Sequence, residues 1–223
     1  VTKALVSNDA TAETTDSTGL TAFGADGFTV GADTDYSDTT GDGMVAWNWL
    51  AGGAPTATNS AGAGAVPTAN SVKIDGSNLG SALAGTVAAT KLSANTTSGF
   101  SIVQWTGTET SINLAHGLSK APELIIVKSS ECGGCSWRIG QSVITGQKFD
   151  TDDGWYLEFT TAANHEETSP IIWGDPATTP SSSLFYIGSN GSMNSSGDGM
   201  IAYCFHSVEG YSKVGSYTGN GDA

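Results

Sequence analysis

One phrase occurs twice in this chain, and an internal repeat constrains the fold more than any local motif does. Residues 27–49 read Gly-Phe-Thr-Val-Gly, then an Asp/Ser/Thr-rich stretch, then Gly-Asp-Gly-Met-Val-Ala-Trp-Asn-Trp. Residues 184–205 read Leu-Phe-Tyr-Ile-Gly, then an Asn/Ser-rich stretch, then Gly-Asp-Gly-Met-Ile-Ala-Tyr-Cys-Phe. Phe28 aligns with Phe185 and Gly41 with Gly197, across a single gap. A second echo joins Phe100–Gly107 to Tyr211–Gly219. The echoes divide the chain into a partial β-module of closing strands at 1–49, an inserted linker or arm at 50–95, and a complete β-sandwich module at 96–209. Residues 210–223 then read as the opening strand of a further module, or as a donor strand for a neighbouring subunit. Such a duplication argues for a modular structural protein rather than a single enzyme domain.

Helical periodicity is almost absent, and short β-branched or aromatic runs bounded by Gly, Pro, Asn, Asp or Ser recur. These include Phe28–Val30, Met44–Trp47, Phe100–Trp105, Leu124–Val127, Ser136–Ile139, Trp155–Phe159, Leu184–Ile187 and Met200–Phe205. The pattern predicts an all-β fold of tandem antiparallel sandwich-like modules. In Met200–Phe205 both alternating faces are apolar, which predicts a central strand. Residues 50–98 contain no aromatic residue and are rich in Ala, Gly, Ser and Thr. Ile74, Leu79, Leu83, Val87 and Leu92 recur there as apolar anchors that a flexible tether would lack. The 27–49 and 184–205 repeats are expected to form matching hairpins, because turns needing positive φ select glycine at the shared positions.

Only 13% of the 223 residues are charged, and the net charge is −14. That sign disfavours phosphate backbones and anionic lipid surfaces, so neither nucleic-acid binding nor membrane binding is expected. No run approaches the roughly 20 apolar residues that cross a bilayer.

The motifs carrying chemistry are few. Cys132-Gly133-Gly134-Cys135 lies between two strand-like runs. No second Cys or His pair completes a zinc site, and the glycines favour a hairpin tip closed by a disulfide over free thiols. Cys204, mid-strand, reads as a buried core residue. The acids from Asp33 to Asp38 resemble a calcium loop but lack its glycine and distal Glu, and the matching stretch of the other unit has no acid. Asp150–Gly154 is a second weak calcium candidate and first of all a turn; no cofactor is expected. His116, His165 and His206 are scattered, no catalytic motif is present, and Glu166, Glu167 and Asp175 read as turn acids, so no enzymatic activity is expected. Trp137 and Trp173 are weak candidates for stacking on a glycan. Asn95, Asn190 and Asn194 fit the glycosylation acceptor pattern.

Several longer phrases carry a resemblance. They are Ser93–Val103, His116-Gly117-Leu118 with Ala121–Lys128, Gly197–Phe205, Val208–Lys213 and Gly215–Gly221. Together they resemble a repeat module of tail-fibre or virion-appendage structural proteins of aquatic tailed bacteriophages. The resemblance is strong over 93–223, moderate over 1–49 and poor over 50–92; the Cys-Gly-Gly-Cys tip departs from it. It implies an extracellular, virion-borne structural component that acts by self-assembly and surface display, with copies of itself as partners. A carbohydrate-binding or adhesin module that contacts a host surface glycan is an alternative. Another is a subunit of a free extracellular filament that polymerises head to tail. Phe28, Met44 and Trp47 on one side, and Tyr211, Val214 and Tyr217 on the other, are the candidate assembly strands, since a sandwich missing strands exposes a sticky edge.

Overall fold

The computed structural model describes residues 2–37, 41, 43–145, 148–149, 156–157, 164–165 and 172–221. Its strands are short. In chain order they are β1 (Lys3–Ala4), β2 (Thr14–Thr15), β3 (Leu20–Phe23), β4 (Phe28–Val30), β5 (Val72–Ile74), β6 (Ser77–Asn78), β7 (Lys91–Asn95) and β8 (Phe100–Thr106). There follow β9 (Ile112–Ala115), β10 (Leu124–Ser129), β11 (Arg138–Gln141), β12 (Tyr156–Leu157), β13 (Asn164–His165), β14 (Leu184–Ile187) and β15 (Gly199–Phe205). A single turn of helix, α1 (Gly191–Asn194), is capped by the Asn190 side chain, which accepts from Ser192 N. The protein is all-β and sandwich-like.

A nine-stranded sheet runs β13-β12-β11-β10-β15-β8-β7-β5-β6. Its pairs are antiparallel except β5–β7, which is parallel. β15 is central, flanked by β8 and β10. Met200, Ala202 and Cys204 point into the core, while Ile201, Tyr203 and Phe205 lie half-buried on the other face. This is why both faces of that strand are apolar. Against the inner face packs the β9–β14 ribbon. Trp105 of β8 meets Phe185 of β14 edge-on at 6.1 Å, and Phe149 meets Trp173 at 5.0 Å. Gly140 in β11 leaves room for that second pair, since a Cβ there would sit 2.2 Å from the Phe149 ring.

Residues 50–95, read from the sequence as an inserted linker or arm, are wound into this module. Val72, Leu83, Ala89, Leu92 and Ala94 are core residues, and Ile74, Leu79 and Val87 pack against them. The module in the structure thus takes in chain from about residue 50, ahead of the expected start at 96. The apolar anchors were visible in the sequence; the parallel β5–β7 pairing they serve was not.

The two repeats share a backbone feature but not a hairpin. Gly41 and Gly197 both take positive φ, +93° and +88°, a conformation that L side chains avoid. Yet β14 pairs with the distant β9, and β15 lies in the other sheet. In the first repeat β4 pairs with the adjacent β3, and residues 43–49 join no ladder. The expectation of matching hairpins is therefore incorrect. Sequence adjacency cannot tell a hairpin from a crossover between the layers of a sandwich.

Two buried polar groups hold the layers in register. Asn194 is wholly buried. Its Oδ1 accepts from Trp105 Nε1 and Thr108 N, and its Nδ2 donates to Thr108 Oγ1, Thr110 O and Gly188 O. That burial removes it as a glycan acceptor. His116 follows β9; its Nε2 donates to Ser181 O at 3.1 Å and its Nδ1 accepts from Leu118 N at 3.1 Å, so the ring is neutral. Burial lowers its pKa to about 4, against the bond to Ser181 O and with a smaller repulsion from His206.

Asn194→Ala strands several buried groups at once and is expected to cost roughly 2–4 kcal/mol in chemical denaturation. His116 binds its proton more tightly when unfolded. Its contribution to stability is complete above about pH 6.5 and falls as pH drops toward 4, by up to roughly 3 kcal/mol. Denaturation midpoints across that window should therefore drop with acid, and His116→Gln should flatten the upper part of the curve.

Candidate assembly surface

The outer face of the sheet carries Ile102, Leu124, Ile126, Ile201, Tyr203 and Phe205, all in strands paired on both sides. An apolar outer face needs a cover, and the N-terminal segment supplies part of one. Glu13 N donates to Ser130 O at 2.8 Å, and Trp137 Nε1 donates to Val6 O at 2.9 Å. Lys128 is buried in β10, and its Nζ donates to Ala10 O at 3.1 Å and Cys135 O at 2.6 Å. Burial lowers the Lys128 pKa, and Asp9 works against that shift. Tyr203 stacks on Trp137 at 6.2 Å, and burial, then the Glu13 carboxylate, raise its pKa. The Cys-Gly-Gly-Cys turn between β10 and β11 is closed by a Cys132–Cys135 disulfide with Cα atoms 5.5 Å apart. Its Cys135 carbonyl is one of the two lysine acceptors, so the turn helps to seat the lysine that holds the arm. The clue in the sequence was a lysine ending the apolar run Leu124–Val127.

At the Phe100–Phe205 end of the sheet two segments leave without becoming strands. The first is residues 43–49. Met44, Val45, Trp47 and Trp49 are 55%, 77%, 77% and 54% exposed, whereas Met200, the counterpart of Met44, is 1% exposed and Ile201, Tyr203 and Phe205, the counterparts of the others, are half-buried. Its foot is anchored: Trp49 lies 5.7 Å from Phe205 and 6.1 Å from Phe100, and Ser98 Oγ donates to Leu50 O. The second follows a turn in which Val208 bridges to Ser212. There Tyr211 is 65% and Tyr217 94% exposed, and Val214 is half-buried with its N donating to Ser207 Oγ. Phe28, the remaining candidate, is 42% exposed in β4. An open groove lies between Lys120, Glu123 and residues 207–214; Glu123 Oε2 closes its floor by accepting from Ser207 N and Ser207 Oγ.

The glycan-stacking candidates are corrected. Trp173 is wholly buried against Phe149, and Trp137 is 6% exposed between Tyr203 and the arm, so neither offers a free ring face. Cys204 is a buried free thiol, and burial pushes its pKa up to about 12. Asp33 Oδ1 accepts from Asp35 N in a local turn. Among the described residues no group of three metal-ligating side chains occurs. Asp38, Asp150–Asp153, Glu166 and Glu167 lie outside the described residues, as does the side chain of His165.

Lys128→Met removes two hydrogen bonds to the arm and loop but also removes a buried charge, so global stability should change little. Limited proteolysis within residues 1–16 should accelerate at least about tenfold, the effect of losing a charged hydrogen bond from a local opening equilibrium. Cleavage at the original rate would show that the lysine does not hold the arm.

No helix among the described residues is long and apolar enough to cross a membrane. No curated protein and no solved structure matches the chain. The sequence does match the family described as Domain of unknown function (DUF7483), over residues 1–76 and again over residues 73–223. The matches meet at residues 73–76, within β5 and the turn after it. Between them they span the whole chain, which therefore belongs to this family.

Proposed function

We propose that the chain is a structural module of an extracellular fibre or virion appendage, working by self-assembly and surface display. One observation carries the reading: the apolar segment 43–49 is largely solvent-exposed, although its counterpart in the same chain is the central strand of a sheet. Exposed apolar patches of this kind mark association surfaces. The resemblance of residues 93–223 to virion-appendage modules supports the extracellular part of the reading. So do the disulfide, which belongs to oxidising surroundings, and the low content of charged residues. The layers of the sandwich are filled by side chains, which suits a building block better than a catalyst. An adhesin is the weaker reading, because both tryptophans singled out for sugar stacking are buried.

Sedimentation of the purified chain over a wide concentration range should give species heavier than the 22.6 kDa protomer, growing with concentration. Negative-stain images of the concentrated sample should show elongated particles. A protomer at every concentration, combined with specific retention on a glycan array, would replace this reading with the adhesin.

A further inference from the structure

We infer that residues 211–218 of one copy add to residues 43–49 of a second copy as an antiparallel strand, in the register that joins β8 to β15. The inference rests on the self-assembly reading above and names the partner segment. Residues 43–49 repeat β15, and residues 211–219 repeat β8 and the glycine after it. In the complete module those two strands pair over their whole length, with Phe205 opposite Phe100, Tyr203 opposite Ile102, Ala202 opposite Val103, Met200 opposite Trp105 and Gly199 opposite Thr106. Transferred to the repeats, that register sets Trp49 opposite Tyr211, Trp47 opposite Lys213, Ala46 opposite Val214, Met44 opposite Tyr217 and Gly43 opposite Thr218. The second strand carries one extra residue at Gly215-Ser216, facing Val45, where a bulge absorbs it.

The side chains suit this arrangement. Phe100 and Phe205 pack tilted at 4.8 Å, and Trp49 already packs against both rings, edge-on to Phe205. Tyr211 beside Trp49 extends that cluster by one ring. The Lys213 stem lies across the Trp47 indole, covering apolar area while its ammonium stays in water. Ser212 and Val214 turn one edge of their segment toward Val208 and Ser207 of their own chain, which leaves the other edge to a partner, and the two segments leave the module on opposite flanks of β15. Leu50 is tied to Ser98 after β7, and Gly52 O accepts from Gly76 N. Val214 is tied to Ser207, which Glu123 holds at the start of β10. A second copy supplies the missing neighbour, and because each copy carries one donor and one acceptor, the contact is head-to-tail.

Directed cross-linking tests this. Cys204 is buried and Cys132 is bonded to Cys135, so neither competes with introduced thiols. A copy carrying Ala46→Cys, mixed with one carrying Val214→Cys and oxidised, should give a covalent dimer at least tenfold faster than the mixture with Val45→Cys. The double variant should give a ladder of multimers. Ala46→Pro fixes φ at about −65° in an exposed segment, away from the value an antiparallel strand needs, and should abolish assembly while leaving the circular dichroism of the protomer unchanged. Equal cross-linking at 45 and 46, closure of the double variant only on itself, or undiminished assembly of Ala46→Pro would each overturn the inference while leaving assembly itself standing. A native chain that stays a protomer at all concentrations would bring down the functional reading with it.

Discussion

The structure depends on one constraint: a β-strand with apolar side chains on both faces must be covered twice. Met200–Phe205 meets it by lying between β8 and β10, over the β9–β14 ribbon on one side and beside the N-terminal arm on the other. Burial of the inward side chains supplies the hydrophobic free energy, at roughly 25 cal/mol per Å² of apolar surface. The ladder on both edges satisfies the backbone groups that this burial takes out of water. Remove either cover and the same residues become a liability. Residues 43–49 illustrate it, having a similar pattern and no ladder on either edge.

Polar groups inside the module follow from that arrangement. Two layers meeting through aliphatic and aromatic contacts alone would tolerate sliding. Asn194 and His116 oppose it with directional bonds that span the layers: Trp105 to α1 in one case, the end of β9 to the turn before β14 in the other. Lys128 does similar work on the outer face. An ammonium buried against two carbonyls is a costly way to attach an arm, but it attaches the arm in one place.

Much of this was legible in the sequence. The all-β class, the central position of Met200–Phe205 and the glycine frame at Gly41 and Gly197 follow from alternation and turn chemistry, which are local. What escaped was non-local. The pairing of β14 with β9 spans a long stretch of chain, and nothing near Leu184 announces it. The parallel β5–β7 pair sits in a segment without aromatic residues, where weak apolar spacing reads equally as an arm. Trp173 precedes Gly174-Asp175-Pro176, a turn-like phrase that suggests the surface, yet its ring fills the core beside Phe149. The assembly segments were visible as repeats; the flanks on which they leave the module depend on Ser98, Ser207 and Glu123, whose partners are distant in the chain.

The module is entered and left at the same place. Leu50 is fastened at Ser98, Ser207 is fastened at Glu123, and between them His206 N donates to Gly99 O. The through-path of the polypeptide is therefore a short crossing at the Phe100–Phe205 end, and the rest of the sandwich hangs to one side of it like a pendant from a cord. Modules joined in this way would be spaced by the width of a few strands rather than by the length of one. A modest contour would then carry a dense row of laterally projecting bodies, and tension along the cord would reach each body at its point of suspension and through the arm tied to Lys128, Ser130 and Trp137.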